Sequence, residues 1–362
     1  MAPPQAGQRA NLAAHCEASP HRLNRTRLQS HRSGRAAMQN LVTVFGGSGF
    51  VGTQAVRYLA KAGWRVRVAV RNPNLAYKMR LLGDVGQIDV VQANLRNGPS
   101  IERALDGATA SLNLVGVGYE TGRQGFQAVH VMGARNVAEA ARAMGLGRVV
   151  QMSALGADAN SPSKYLRTKA EGEAAVREIY PDAVVARPSI VFGTGDGFFN
   201  KFASMAQISP MLPLIGGGQT RFQPVFVGDL GQALARMVVT DAAAGQTYEL
   251  GGPSVFTFKE LMERILAETG QRRLLVPIPF PVAALLGKVG DVMSAVVPPP
   301  LTSDQVEALR SDNVVSGRYP GLADLSLSPT SLEAILPTYL YAYRKGGQYA
   351  DQDAREMEAG RA

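Results

Sequence analysis

The stretch that most limits what this chain can become is LVTVFGGSGFVG, residues 41–52. Leu41 to Phe45 is an unbroken apolar run, which predicts a strand buried on both faces of a parallel sheet. It passes directly into Gly46-Gly47-Ser48-Gly49-Phe50-Val51-Gly52, and a helical pattern follows through Ala62. The glycine spacing is G-x-x-G-x-x-G. Gly46 allows a tight turn off the strand. Gly49 lets the backbone come close to a pyrophosphate, and Gly52 lets the new helix pack close to the sheet. The phosphates then lie at the helix N-terminus, where free N–H groups and the helix dipole favour an anion. Gly46, Ser48, Gly49, Phe50, Val51 and Gly52 are therefore expected to bind a dinucleotide.

The next 150 residues alternate strand and helix. Trp64 to Val70 is the second predicted strand, Ile88 to Val91 the third, Ala110 to Val115 the fourth and Arg148 to Met152 the fifth. Long helices are expected over 123–144 and 162–179, with a further strand from Ala183 to Ala186. That alternation with short links predicts an α/β Rossmann fold, a doubly wound parallel sheet. Arg71 directly follows the second strand. An acid at that point would bind a ribose 2′-hydroxyl, whereas a base suits a 2′-phosphate, so NADP(H) is expected over NAD(H). The alternative is a solvated loop arginine. Asn94 and Leu95 fall at the adenine edge, and Val115 and Gly116 fall near the nicotinamide.

Past Phe192 the pattern loosens into Gly-rich loops at 193–195 and 216–218. Phe222 to Val227 and Thr247 to Leu250 read as strands, Asp229 as the N-cap of a helix over 230–240, and Thr257 as the cap of a helix reaching about Thr269. These elements suggest a small cap woven into the C-terminal half. The expected organisation is a basic extension over 1–37, a dinucleotide-binding domain over 38–192, a cap region over 193–345 interwoven with the sheet, and a frayed tail over 346–362.

Residues 277–300 stand apart. Pro277, Pro279 and Pro281 precede an apolar helix that Pro298-Pro299-Pro300 end. Val282, Leu285, Leu286, Val289, Val292, Met293, Val296 and Val297 form one apolar stripe, with mostly Gly and Ala opposite. Two readings follow: a helix packed on its own domain, or a helix lying on a membrane surface or a partner.

Charge and cysteine narrow the partners. The net charge is +9, but residues 1–37 carry six Arg and a single acid, Glu17, so the extension holds 6 − 1 = +5 and the body only 9 − 5 = +4. No basic stripe with interleaved aromatics points to nucleic acid. The one cysteine, Cys16, lies in the extension, as do His15, His21 and His31. The body is left with His130, so a Cys- or His-based metal site is not expected there. The Arg-rich, acid-poor extension reads either as a mitochondrial presequence or as residues upstream of a true start at Met38, the second reading being preferred.

Tyr165 and Lys169 sit four apart in SKYLRTKAEGE and share a helix face. An ammonium beside a phenol lowers the phenol pKa, which would make Tyr165 a general acid/base for a carbonyl or alcohol. Lys169 can also hold ribose hydroxyls. Ser153, at the end of the fifth strand, can hydrogen-bond the reacting oxygen. Ser153, Tyr165 and Lys169 are the candidate catalytic residues.

These residues, with Gly46–Gly52, Asn94-Leu95 and the stretch Arg187-Pro188-Ser189-Ile190-Val191-Phe192-Gly193, resemble the short-chain dehydrogenase/reductase superfamily in its extended or atypical branch. The resemblance implies NAD(P) bound across the sheet with Pro188 near the nicotinamide. Two positions depart from it: Asn94 replaces the usual Asp, and His130 stands where Asn is usual on the long helix. A closer resemblance rests on Arg167–Glu173, Phe199–Met205, Gln223–Asp229 and the Pro-punctuated stretch 277–300. These are similar to the short-chain-dehydrogenase-like accessory subunits of respiratory complex I. That resemblance implies a tightly bound, structural NADPH and a place on the peripheral arm, beside the membrane and near the quinone site. The chain is thus expected on the cytoplasmic face of a bacterial inner membrane, or alternatively on the matrix side of the mitochondrial one, with residues 277–300 on the membrane surface. Two alternatives stay open: a free NADP-dependent reductase, epimerase or dehydratase, for instance in quinone metabolism, and an NADPH-binding redox sensor.

Overall fold

A computed structural model describes residues 40–294, 299 and 301–349. The basic extension, Val296 and Val297 of the apolar stripe, Pro298 and Pro300, and most of the expected frayed tail lie outside the described residues.

Seven strands form one parallel sheet: β1 (Leu41–Phe45), β2 (Arg65–Val70), β3 (Ile88–Gln92), β4 (Ala110–Asn113), β5 (Arg148–Met152), β6 (Val184–Pro188) and, from far along the chain, β11 (Thr247–Leu250). Their order is β11-β6-β5-β4-β1-β2-β3. Every residue of β1 is buried, as its apolar run requires, because helices cover both faces. The chain moves outward from β1 through β2 and β3, then returns to build β4 on the other side. The crevice between β1 and β4, at the carboxyl ends of the strands, is the switch point where such sheets bind ligands.

One face is covered by α1 (Phe50–Lys61) and α6 (Val227–Val239), which pack together closely. Gly231 of α6 makes this approach possible, since a Cβ there would lie 2.5 Å from Gln54 Cβ. The opposite face carries α2 (Gly98–Leu105), α3 (Gln127–Ala143) and α4 (Lys164–Ile179). The first turns of α3, Gln127–Met132, are wound as a π-helix, a local widening that often marks a functional position.

The cap is built from three short strand pairs: β7 (Val191–Phe192) with β10 (Val225–Phe226), β8 (Met211–Ile215) with β13 (Leu274–Ile278), and β9 (Arg221–Phe222) with β12 (Phe256–Thr257). Around them lie α5 (Phe199–Ile208), α7 (Phe258–Thr269), α8 (Phe280–Met293) and α9 (Ser303–Ala308). Its core gathers Phe192, Phe199, Phe258, Leu261, Leu336 and Leu340. Thr257 and Glu260 form a capping box on α7, and Gly270 ends that helix in the left-handed conformation, φ 64°.

Several expected elements change on folding. The strand expected from Phe222 to Val227 is broken at Gln223-Pro224 into β9 and β10, because Pro224 has no N–H for a continuous ladder. Asp229 does not cap its helix. The helix begins at Val227, and the Asp229 carboxylate instead accepts from Thr330 N (2.6 Å) and Thr330 Oγ1 (3.0 Å). The helix expected from 123 starts at 127, after a short bridge joins Thr121 to Gln124.

The helix in 277–300 packs on its own domain, one of the two readings, but its apolar stripe is not the face that is buried. The helix packs through its small residues. A Cβ on Gly287 would lie 2.7 Å from Ser303 Cα, and one on Gly290 would run into Leu301 O. Ala283, Gly287 and Gly290 are buried. Leu285 is 65% exposed, Val289 55% and Val292 78%, with Val282, Leu286 and Met293 beside them. Glycine lets the backbones touch, so the large side chains point outward. Among the described residues no helix is long and apolar enough to cross a membrane.

Candidate functional site

The glycine loop turns as its spacing requires. Gly46 has φ +75°, a conformation that L side chains rarely adopt, and its N–H donates to Ala69 O at 3.0 Å. The Gly49 N–H donates back to Gly46 O (3.1 Å). No side chain caps α1, so the first-turn N–H groups of Phe50, Val51 and Gly52 point into the crevice without protein partners among the described contacts. Gly52 has a different role from the one the spacing suggests. A Cβ there would lie 2.4 Å from Gly46 O and 2.6 Å from Gly47 O, so it seats the helix on its own loop rather than on the sheet. Across the switch point, Val115 Cγ2 closes on Gly46, 3.2 Å from where a Cβ would stand. A backbone with this clearance fits a dinucleotide pyrophosphate.

Arg71 lies exposed at the end of β2, with its guanidinium donating to Gln124 Oε1 (2.6 Å). Asn94 uses its side-chain oxygen locally, accepting from Arg96 N (3.1 Å). Leu95 turns its side chain into the core against Gly133. Its carbonyl accepts from Asn136 Nδ2 (2.7 Å).

Ser153, Tyr165 and Lys169 converge beyond β4 and β5. Ser153 N donates to Ala186 O (2.7 Å), which fixes its backbone, while its Oγ is buried with no partner. Lys169 Nζ lies 5.7 Å from the centroid of the Tyr165 ring. It also presses on the backbone after β4: a Cβ on Gly116 would stand 3.1 Å from Nζ. Pro188, the last residue of β6, lines the same cavity as Ser153 and Tyr165. Among the described residues no cluster of His, Cys, Asp and Glu could hold a metal.

The expected lowering of the Tyr165 pKa does not occur. Burial, with the Asp304 charge beside it, pushes the phenol up to about 12. Burial also pushes the Lys169 ammonium down to about 8, opposed by Glu173. Lys169 is buried and Tyr165 half-buried, so desolvation disfavours each charge, and the ammonium lies over the ring rather than beside the oxygen. At neutral pH Tyr165 is therefore a neutral phenol that can donate to an oxygen, and it is not a base. A bound nicotinamide would supply hydride chemistry here. The residues themselves offer the Ser153 and Tyr165 hydroxyls and one buried ammonium.

His130 lies in the π-helical turn of α3. Its Nε2 accepts from Val117 N (3.1 Å), which leaves the proton on Nδ1, facing Thr168 Oγ1 at 3.1 Å. Thr168 in turn donates to Tyr165 O (3.1 Å). The ring thus ties the loop after β4 to the helix of Tyr165 and Lys169. Burial, with the Lys169 charge beside it, pushes His130 from 6.5 down to about 3. Below pH 6.5 the unfolded chain takes up a proton that the native one refuses, so stability falls as pH drops through this window. By about pH 5 the loss is about 2 kcal/mol. His130→Asn should remove that component, as chemical denaturation at the two pH values would show. An unchanged acid slope in the variant would refute the assignment.

Asp304 escaped the sequence reading. This carboxylate of α9 accepts from Lys164 N (2.5 Å), Tyr165 N (3.1 Å) and Ser163 Oγ (3.1 Å), and so holds the start of the Tyr165 helix. The box Thr302–Gln305 marks a helix start in the sequence, but nothing there indicates a partner about 140 residues away. The bidentate Arg187–Glu173 pair (2.9 and 2.6 Å), joining β6 to α4, was equally hidden.

Comparison with known proteins agrees with this geometry. Residues 42–251 match the model of the NAD dependent epimerase/dehydratase family. A mitochondrial protein of Arabidopsis thaliana, NADH dehydrogenase (ubiquinone) 1 alpha subcomplex subunit 9, is 38% identical over 324 residues, covering 87% of this chain and 81% of the relative. The mitochondrial NADH-ubiquinone oxidoreductase 40 kDa subunit of Neurospora crassa is 32% identical, covering 91% of this chain and 86% of the relative. Among solved structures, an NADPH-dependent quinone oxidoreductase of Escherichia coli complexed with NADPH superposes with a TM-score of 0.64 at 22% identity, covering 81% of this chain and 97% of that one, a likeness of fold. The glycine turn, the seven-stranded parallel sheet and similarity along most of its length place this chain in the NAD dependent epimerase/dehydratase family, in the group that contains the alpha subcomplex subunit 9 of NADH dehydrogenase (ubiquinone).

Proposed function

We propose that this chain is an NADPH-binding accessory subunit of respiratory complex I, with a structural cofactor, which docks beside the membrane and near the quinone site through the exposed face of α8. The observation that carries the reading is the extent of the similarity to the subunit 9 proteins, which reaches well beyond residues 42–251 and so includes much of the cap. The outward apolar face of α8 supports docking, because exposed contiguous apolar surface on a folded protein marks an interaction site. Of the two locations, the mitochondrial one is favoured because the relatives' names place those proteins in mitochondria. The chain would be tagged at its C-terminus, native membranes solubilised in mild detergent, and the co-purifying proteins identified. Co-migration with the quinone-reducing complex, with NADPH released on denaturation, is expected. A protein free of respiratory subunits would overturn the reading and favour the free reductase, for which the unpartnered Ser153 hydroxyl is the supporting observation.

Arg71 is the proposed determinant of NADP(H) over NAD(H). Gln124 already orients its guanidinium at the strand end, and a 2′-phosphate would take a charge-assisted bond from it. Arg71→Ser should weaken NADPH binding about tenfold and leave NADH binding nearly unchanged. Titration of the cofactor-free protein with each nucleotide reads this out, and equal losses for both would remove Arg71 from the role.

A further inference from the structure

The carboxyl edge of the sheet is crossed by a segment that the glycine turn does not account for. Residues 117–125 follow β4, where Val115 Cγ2 closes on Gly46, and lead into α3. Between those points the segment reaches past two more strands. Gln124 meets Arg71 at the end of β2, and Arg123 meets Arg96, a few residues beyond β3. Because β1 stands between β4 and β2, the segment spans the crevice at the switch point.

Three grips hold it. At its root, Val117 N donates to His130 Nε2 (3.1 Å). In its middle, the Glu120 carboxylate accepts from Lys164 Nζ and from Phe126 N, each at 2.7 Å. At its tip, the Arg96 guanidinium donates to Arg123 O (3.1 Å) and the Arg71 guanidinium to Gln124 Oε1 (2.6 Å). The tip is a tight turn, with Gln124 N donating to Thr121 O (2.8 Å) and Gly122 at φ 48°.

The grips differ in burial. His130 at the root is buried. The Lys164 and Glu120 side chains are 48% and 38% exposed, and Arg71 and Arg96 at the tip are exposed. Charged contacts in water are weak and screened by salt. A Cβ on Gly118 or Gly122 would meet nothing within 4 Å, so the backbone there has room to move. A buried root with weak outer contacts suits a segment that swings.

We propose that residues 118–124 are a strap that gates entry and release of the dinucleotide, and that Arg96 is the latch holding it shut. This gate rests on the NADPH reading above and adds control of exchange to it. Arg96 is a positioning residue, since its guanidinium grips a carbonyl of the strap itself. A latch that holds the strap equally in empty and loaded protein slows entry and release by one factor and leaves affinity alone.

The test uses the full chain loaded with NADPH. Release is followed by nicotinamide fluorescence after mixing with excess NADP⁺, and Kd is taken from equilibrium dialysis of the same preparation. Arg96→Ala should speed release about fivefold while Kd moves by less than about twofold, so entry speeds up by a matching factor. Glu120→Gln keeps an acceptor for Phe126 N and gives up the ion pair with Lys164. It should act in the same direction, and the double variant should exceed either single one. Neither side chain is buried, so the melting temperature should stay near that of the native chain. Unchanged release in Arg96→Ala and in the double variant would overturn the gate. So would faster release with an equal loss of affinity, which is the signature of a damaged site. Either result in a chain whose native form holds NADPH refutes the gate alone, whereas a native chain that binds no NADPH removes the cofactor reading and the gate with it.

Discussion

Gly52→Ala should cost the chain its dinucleotide, with affinity falling about 100-fold or more. The added methyl would lie 2.4 Å from Gly46 O, 2.6 Å from Gly47 O and 2.7 Å from Gly47 C. All three are backbone atoms of the turn that must cradle the phosphates, so no side chain can swing aside. Either α1 lifts from the loop or the loop shifts, and both displace the N–H groups that would meet the pyrophosphate. Losing one or two of these bonds to a charged phosphate costs about 3 kcal/mol, on the order of 100-fold in affinity. The same clash strains the cofactor-free protein, so its melting temperature should fall as well. Gly49→Ala is the informative comparison. A Cβ there meets only Gly46 O, at 3.3 Å, so the cofactor-free fold should tolerate it while cofactor binding suffers. Equilibrium titration with NADPH, beside thermal unfolding of the cofactor-free forms, separates the two. Native affinity in Gly52→Ala would mean that the phosphates lie elsewhere.

The second large effect concerns the outer face of α8. Leu285→Asp with Val289→Asp should release the protein from the membrane-bound complex while leaving its fold intact. Both side chains are more than half exposed, and the helix is held from the other side by Ala283, Gly287 and Gly290. Replacing exposed side chains away from packed contacts changes stability by about 0.5 kcal/mol or less. If the face is covered in the assembly, burying Leu285 and Val289 contributes roughly 3–6 kcal/mol, about two to four orders of magnitude in affinity. Co-sedimentation with native membranes, together with a melting curve, is the measurement. Undiminished association of a normally folded double variant would show that α8 is not the docking surface. Gly290→Leu provides a contrast: its side chain would collide with Leu301 O, so it should unseat the helix and lower stability directly.

The α8 helix also shows where periodicity misleads. Its apolar stripe was visible at the spacing of a helix face, and two readings of that stripe were open. The choice depended on the opposite face, where glycine permits a backbone approach that no larger residue allows. Hydropathy ranks Gly and Ala as the weaker face, yet close packing makes them the buried one. A similar limit applied to Tyr165 and Lys169. Their four-residue spacing puts them on one face of α4, but it carries no information on burial. Burial reverses the expected pKa direction at Tyr165.

The sequence by itself determined the parallel α/β sheet and the glycine turn after its first strand. Both depend on local physics: an apolar run that must be buried on both sides, and glycines whose backbone freedom and lack of a Cβ operate within a dozen residues. The expectation that Ser153, Tyr165 and Lys169 form one site rests on the same local logic, because the strand ends of a doubly wound sheet bring such residues to one edge. Only the tertiary structure decided that Asp304 holds the start of α4 and that His130 fixes the loop after β4. It alone brought four phenylalanines of the cap into the wall of the cavity that Ser153 lines. Those contacts join residues far apart in the chain, and a hydrogen bond or a packed ring leaves no mark on local composition. Their partners are chosen by the fold once the local elements have assembled.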